Sequence, residues 1–411
     1  MKMTGEAATQ QISNTGTPTS LVRVIAVLLM LSVGVGVLVL TMSNDQAGSR
    51  DYFEYWAVGH QLIHNQNPYD SRAIVQLVDR TEKRKNMILR NPPYALLITL
   101  PLGFFSLKTG AVLWSLALIG ALMGSIRILR ALEVNPPEQI HLAGYVFGPA
   151  LACLLAGQIG IFLLLGVALF LRFHHSRPFL AGASLLICAL KPHLFLPALI
   201  ALVGWIMVEK AYRVLAGAVV ALIASTVLIC VLDPGVWSQY LTAEPGEKIQ
   251  NLFVPCLSVV FRIAINRNAF WLQFLPEIAG CGWAVWYFRK HRYSWNWKEQ
   301  GPVLLMVSVL VAPYAWFTDE ALLLPAIMAG LYRTRTSKAC INGFGVLAGI
   351  ALLEVLAGVP LTSAYYLWTA PAWLVWYLIA SSRIASRNVS RNGTETCIKD
   401  PSRGETQLQK I

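Results

Sequence analysis

Hydrophobic residues run along this chain in long unbroken blocks separated by polar turns, and they do not alternate, so the pattern predicts helices and excludes a β-barrel. Blocks at 21–42, 109–130, 139–156, 158–173, 178–190, 193–208, 211–232, 268–288, 301–317, 321–332, 340–359 and 365–382 predict about a dozen helical spans. Several reach the ~20 residues that cross a hydrocarbon core as helix. The blocks at 178–190 and 321–332 are too short to cross alone. They predict broken or tilted helices bordering a protein-lined cavity. The first block follows a polar start and lacks a small-residue cleavage site, so it reads as a retained span rather than a signal peptide. The expected fold is all-α, a polytopic integral membrane protein.

Two connecting segments are too long to be simple turns. In the first, 43–108, Asp51-Tyr52-Phe53-Glu54-Tyr55-Trp56 begins a stretch with the helical spacing of an amphipathic interfacial helix. Its apolar end, 93–107, is expected as a half-inserted helix, because a full span there would invert every later charge assignment. The second, 233–267, opens on the turn signal Asp233-Pro234-Gly235 and holds an apolar stretch at 252–265 suited to lying along the membrane. Residues 1–20 and 383–411 are polar and read as tails on a single transmembrane domain, 21–382.

Composition agrees with the pattern: 56% of residues are hydrophobic and 13% charged, too little polar surface to cover a soluble globule of 411 residues. The net charge of +12 does not point to nucleic acid, because the basic residues form no aromatic-interleaved patch and sit between the blocks. Arg127, Arg130, Arg172, Arg177, Lys210, Arg213, Arg289, Lys290, Arg333 and Lys338 fall at alternate ends of successive blocks, the ends that the positive-inside rule assigns to the cytoplasm. Both termini are then expected inside. The intervening turns, with Asp51, Gln158, Lys191 and Asp319, are expected together on the outer side. The seven cysteines are scattered and lack metal-ligand spacing, so they read as packing residues, and neither a metal nor a cofactor is expected.

Each candidate has a plain reading beside a chemical one. Asp51 is either a general base or a juxtamembrane helix cap, with Glu54 and Tyr55 on its face. Lys191, in a Leu-Lys-Pro turn inside an apolar stretch, either snorkels or meets an anion such as phosphate. His193 beside it reads first as a structural histidine. Arg90 pairs with phosphate or anchors to headgroups. Asp319 and Glu320 cap a helix or bind hydroxyls, and Gln158 contacts a ligand or closes its turn. Two carboxylate sites and two cations around one cavity suit a lipid phosphate and a polyhydroxy substrate. A transporter or flippase would also need broken helices around charges, and a scaffold would make these residues dispensable.

In order along the chain, Asp51-x-x-x-Tyr55-Trp56, Asn67-Pro68-Tyr69-Asp70, Asn91-Pro92-Pro93-Tyr94, Gly157-Gln158, Ala181-Gly182, Ala189-Leu190-Lys191-Pro192 and Ala312-Pro313-Tyr314 to Asp319 resemble glycosyltransferase family 87. The chain departs from that pattern at Asn91, where an aromatic is common, and at His64-Asn65-Gln66, where a glycine usually precedes the Asn-Pro-Tyr. The resemblance implies a GT-C fold and an enzyme of the bacterial plasma membrane. That enzyme transfers a hexose, typically mannose, from a polyprenyl-phosphate sugar to a lipid or glycan hydroxyl with inversion. It implies Asp51 as general base, Arg90, Lys191 and His193 at the donor phosphate, and Glu54, Tyr55, Gln158, Tyr314 and Asp319 at the substrates.

Overall fold

The computed structural model describes residues 50–78, 91–134, 136, 139–243 and 253–395. The expected first span, 21–42, the N-terminal tail and Arg90 lie outside these residues. Among the described residues the chain is all helix and turn, with no strand. Three helices, Leu107–Arg130, Tyr212–Leu232 and Lys338–Leu356, are long and apolar enough to cross a membrane. Gly160–Phe173, Pro178–Cys188, Leu196–Glu209 and Leu257–Asn266 are shorter apolar helices. Pro178–Cys188 has 11 residues; at ~1.5 Å per residue it covers only about half of a hydrocarbon core.

Proline explains where continuous hydrophobic blocks become broken helices. The block at 139–156 is a 3₁₀ turn, Ile140–Val146, followed by the helix Gly148–Ala156, with Phe147 extended between them and Pro149 in the new first turn. A 3₁₀ turn also runs, without an extended residue between, from Phe270–Phe274 into Leu275–His291 and from Phe317–Leu323 into Leu324–Arg333, each new helix again carrying proline in its first turn. Proline is free at that position because its missing N–H would have no intrahelical partner there, whereas inside a helix it clashes with the preceding turn.

Residues 93–107, expected as one half-inserted helix, are instead two short pieces, Pro93–Ile98 and Leu100–Gly103. Ser106 then starts the long Leu107–Arg130 helix by accepting a hydrogen bond from the Thr109 amide at 3.2 Å. The final helix begins at Thr369 and continues to Glu395, past the expected span end.

The helix that carries Asp51, Arg50–Ile63, expected as an amphipathic interfacial helix, is docked into the protein: between Tyr52 and Leu62 only Glu54 and His60 are not buried. Gly59 and Gly103 make this possible, since a Cβ on Gly59 would overlap the Thr99 carbonyl and one on Gly103 the Gly59 carbonyl. Two hydrogen bonds then pin the helix to the next segment, from the Tyr52 hydroxyl to the Leu107 carbonyl at 2.8 Å and from the Trp56 indole to the Phe105 carbonyl at 3.0 Å. The Tyr212–Leu232 helix is the opposite case. It packs along Pro178–Cys188 on one side and exposes Val219, Val220, Ile223, Val227 and Val231 on the other. A contiguous apolar face of that length suits lipid tails, not water.

Candidate active site

Five of the predicted residues, from segments far apart in sequence, join in one network of hydrogen bonds. The Gln158 amide Nε2 donates to Asp51 Oδ2 at 2.6 Å. Its Oε1 accepts from Lys191 Nζ at 3.0 Å and from the Tyr55 hydroxyl at 3.3 Å. Lys191 Nζ also bonds Asp319 Oδ1 at 2.7 Å, an ion pair in which the Asp319 side chain is 1% exposed and that of Lys191 12%. The other Asp319 oxygen accepts from the Trp316 amide at 3.0 Å, so this carboxylate both caps its turn and holds the lysine.

The backbone around each member explains its place. Gly157 ends the Gly148–Ala156 helix with φ of +64°, a left-handed conformation that only glycine adopts without strain. A Cβ there would also sit 2.7 Å from that of Tyr52. The Trp114 indole donates to the Gly157 carbonyl at 2.7 Å, fixing the turn that presents Gln158. Lys191 stands in a turn whose carbonyls are held from outside: Asn91 Nδ2 donates to the Leu190 carbonyl at 2.7 Å and the Tyr94 hydroxyl to the Ala189 carbonyl at 3.0 Å. Tyr69 in turn donates to the Asn91 carbonyl at 2.9 Å.

The family model for glycosyltransferase family 87 matches residues 90–332, more than half of the 411 residues. The chain belongs to glycosyltransferase family 87. No curated protein and no solved structure matches it. As a family 87 member it is a membrane glycosyltransferase, which takes a sugar from a donor to an acceptor. Asp51 precedes the matched segment and is tied into it by its bond to Gln158.

In this glycosyltransferase the Asn-Pro-Tyr and Asn-Pro-Pro-Tyr motifs are pins for the lysine turn. Their order along the chain marks the family, but nothing in it shows this work of Tyr69, Asn91 and Tyr94. Trp114 was missed altogether, since a tryptophan inside an apolar helix carries no sign of which carbonyl its N–H will meet. His193 and Tyr314 are brought together, with ring centroids 4.0 Å apart. His193 lies in the turn ahead of the Leu196–Glu209 helix, where burial pushes its imidazole down to about 4 despite the opposing pull of Asp319, with Lys191 adding to the depression. Burial thus favours its neutral form at pH 7. Tyr55 is held protonated by burial and by the neighbouring Asp51, Glu54, Asp319 and Cys153. A narrow, largely apolar gap with room for about one water adjoins Tyr55, walled by Asn91, Ala95, Leu96, Ile98, Thr99, Ile159 and Leu190.

The adjacent carboxylates Asp319 and Glu320 have different surroundings. Glu320 Oε1 accepts from the Thr369 hydroxyl at 2.6 Å. Burial pushes its carboxyl up to about 8, partly offset by that bond and one from the Ala370 amide. Glu320 is therefore mainly uncharged at pH 7, and Asp319 is the anion that faces Lys191.

Proposed function

We propose that this glycosyltransferase moves a hexose, with mannose the first candidate, from a polyprenyl-phosphate sugar to a hydroxyl on a lipid or glycan acceptor, inverting the anomeric centre. The observation that carries the proposal is that Asp51 and Lys191 meet on one amide, that of Gln158. Displacing a phosphate from an anomeric carbon needs a base for the incoming hydroxyl and positive charge for the departing group, held close together on rigid elements.

Asp51 takes the acceptor proton as the acceptor oxygen bonds to the anomeric carbon. The bond from that carbon to the phosphate oxygen breaks, and its electron pair leaves with polyprenyl phosphate. Lys191 has three N–H bonds, of which Gln158 and Asp319 take two, and the third is offered to the phosphate. Arg90, outside the described residues, is assigned as the second cation, and neutral His193 as a hydrogen-bond partner. Both Asp319 oxygens are engaged in the protein, so its part is to hold Lys191 more than to bind sugar. Glu54, Tyr55 and Tyr314 are assigned to the sugar hydroxyls.

The proposed setting is the bacterial plasma membrane, with a GT-C-like arrangement of about twelve spans, both termini cytoplasmic and the site on the outer face. The basic turns at the end opposite the site support that orientation. The test is transfer from radiolabelled polyprenyl-phosphomannose and other polyprenyl-phosphate sugars to an envelope lipid and glycan extract, by protein in nanodiscs, with Asp51→Asn alongside. Transfer by the wild type and its collapse in a folded variant is the expected result. Transfer that survives Asp51→Asn removes the base, and no transfer from any donor favours the transport reading.

A further inference from the structure

Gln158 was expected to touch substrate or simply close a turn, but its amide is already committed at both ends. It donates to a carboxylate and accepts from an ammonium and a phenol. The reversed amide would turn its N–H bonds on the Lys191 ammonium, which has no acceptor, and its oxygen on Asp51. Only one orientation satisfies the three partners. The residue cannot swing away cheaply either, because Gln158 is 8% exposed. Its backbone N–H bonds the Cys153 carbonyl at 3.0 Å, and its own carbonyl accepts from Cys153 Sγ at 3.2 Å.

We infer that Gln158 is a positioning residue: Lys191 and Tyr55 orient its amide, and the amide N–H holds Asp51 ionised and aimed at the acceptor hydroxyl. This rests on the proposed role of Asp51 as base. The arrangement makes base and phosphate-binding cation one mechanical unit, so that the same lysine that meets the donor also sets the base. Among the described residues, the charged and titratable groups around that unit include Glu54 and Tyr55 on the Asp51 helix, Cys153 on the helix before Gln158, and Lys191, His193 and Asp319 from the other two segments. The amide touches Asp51 directly, at 2.6 Å.

A hydrogen bond donated to a carboxylate favours the charged form, so its removal raises the pH at which the carboxyl takes a proton. Two variants separate the ends of the amide. Gln158→Met removes donor and acceptor together, whereas Gln158→Glu keeps an acceptor for Lys191 and Tyr55 but sets a second carboxylate against Asp51. The first readout is independent of transfer: infrared titration of the Asp51 carboxyl in nanodiscs, isolated by subtracting the matched spectra that carry Asp51→Asn. We expect its midpoint to rise by about one pH unit in Gln158→Met and further in Gln158→Glu, where two carboxylates share a proton. The second readout is kinetic. In Gln158→Met the acid limb of kcat should move up with the infrared midpoint, and kcat at neutral pH should fall by about tenfold or more, with the acceptor KM little changed. An unmoved infrared midpoint in both variants, each monodisperse and melting within a few degrees of the wild type, overturns the inference. So does a rise in acceptor KM with the acid limb unchanged, which marks a sugar ligand. If the wild type transfers nothing, the transferase reading fails while the infrared titration still decides the role of Gln158.

Discussion

The two ends of the helix bundle are built on different principles. At the site end, turns distant in sequence are bound by short side-chain bonds: Asp51 to Gln158, Gln158 to Lys191, Lys191 to Asp319, Trp114 to Gly157. At the other end the turns are basic, and their charges meet at longer range and nearer to water. There Lys298 reaches the Leu132 carbonyl at 3.3 Å, and Arg333 approaches Glu299 at 3.9 Å with the glutamate 63% exposed. Water and salt weaken such exposed pairs, whereas a charge pair withdrawn from water depends on its partner. The lesson is that charge is used at one end for topology and at the other for geometry, and only the second is sensitive to the position of single atoms.

Breaking the buried pair should therefore have the largest effect. Lys191→Met leaves Asp319 without its cation, and we expect a loss of about 3–5 kcal/mol of stability, read by thermal or denaturant unfolding in detergent, together with loss of transfer. The double variant Lys191→Met with Asp319→Asn should recover most of the stability and none of the transfer. Recovery of both would mean that the lysine is structural.

Next in size is Gly157→Ala. The left-handed backbone and the overlap with Tyr52 should cost about 1–3 kcal/mol, and transfer should fall more steeply than stability because Gln158 is displaced. Unchanged transfer would show that the site tolerates a shifted Gln158.

Glu320→Gln sharpens the contrast between adjacent carboxylates. The folded protein holds the Glu320 proton up to about 8, whereas an unfolded chain releases it near 4.5. The native state thus binds more protons than the unfolded one in this window. The stability Glu320 contributes is fully present below about 4.5 and lost as pH rises towards about 8. Melting temperature measured across that window should fall less with pH in Glu320→Gln than in wild type, and parallel curves would show that this group does not titrate there. The smallest effect is expected at the opposite end, where Glu299→Gln should change stability by no more than about 0.5 kcal/mol in the same assay. A loss comparable to that of Lys191→Met would remove the distinction between the ends.

Much of this was legible from residue order. The helical class follows from hydrophobic blocks, and the start and end of Leu107–Arg130 are within a few residues of the expected 109–130. Short helices were legible where the apolar block itself is short, as at Pro178–Cys188, but the break within 139–156 was not, because the composition stays apolar across the joint. Of the candidate site, Asp51, Gln158, Lys191 and Asp319 could each be singled out because a polar residue in an apolar turn is costly and calls for an explanation. What each one touches could not be read, since Asp51 and Gln158 are 107 residues apart and Lys191 and Asp319 are 128.

By itself, then, the sequence determined the solvent, the helical class, the family and the short roster of polar residues, because these depend on local hydrophobicity, spacing and motif order. The tertiary structure alone decided that Asp319 pairs with Lys191 while Glu320 turns to Thr369, that the Asp51 helix is docked, and that one amide joins carboxylate to lysine. Hydrogen bonds are selective over a few tenths of an ångström and a few tens of degrees, and such distances between remote segments exist only once the helices have packed.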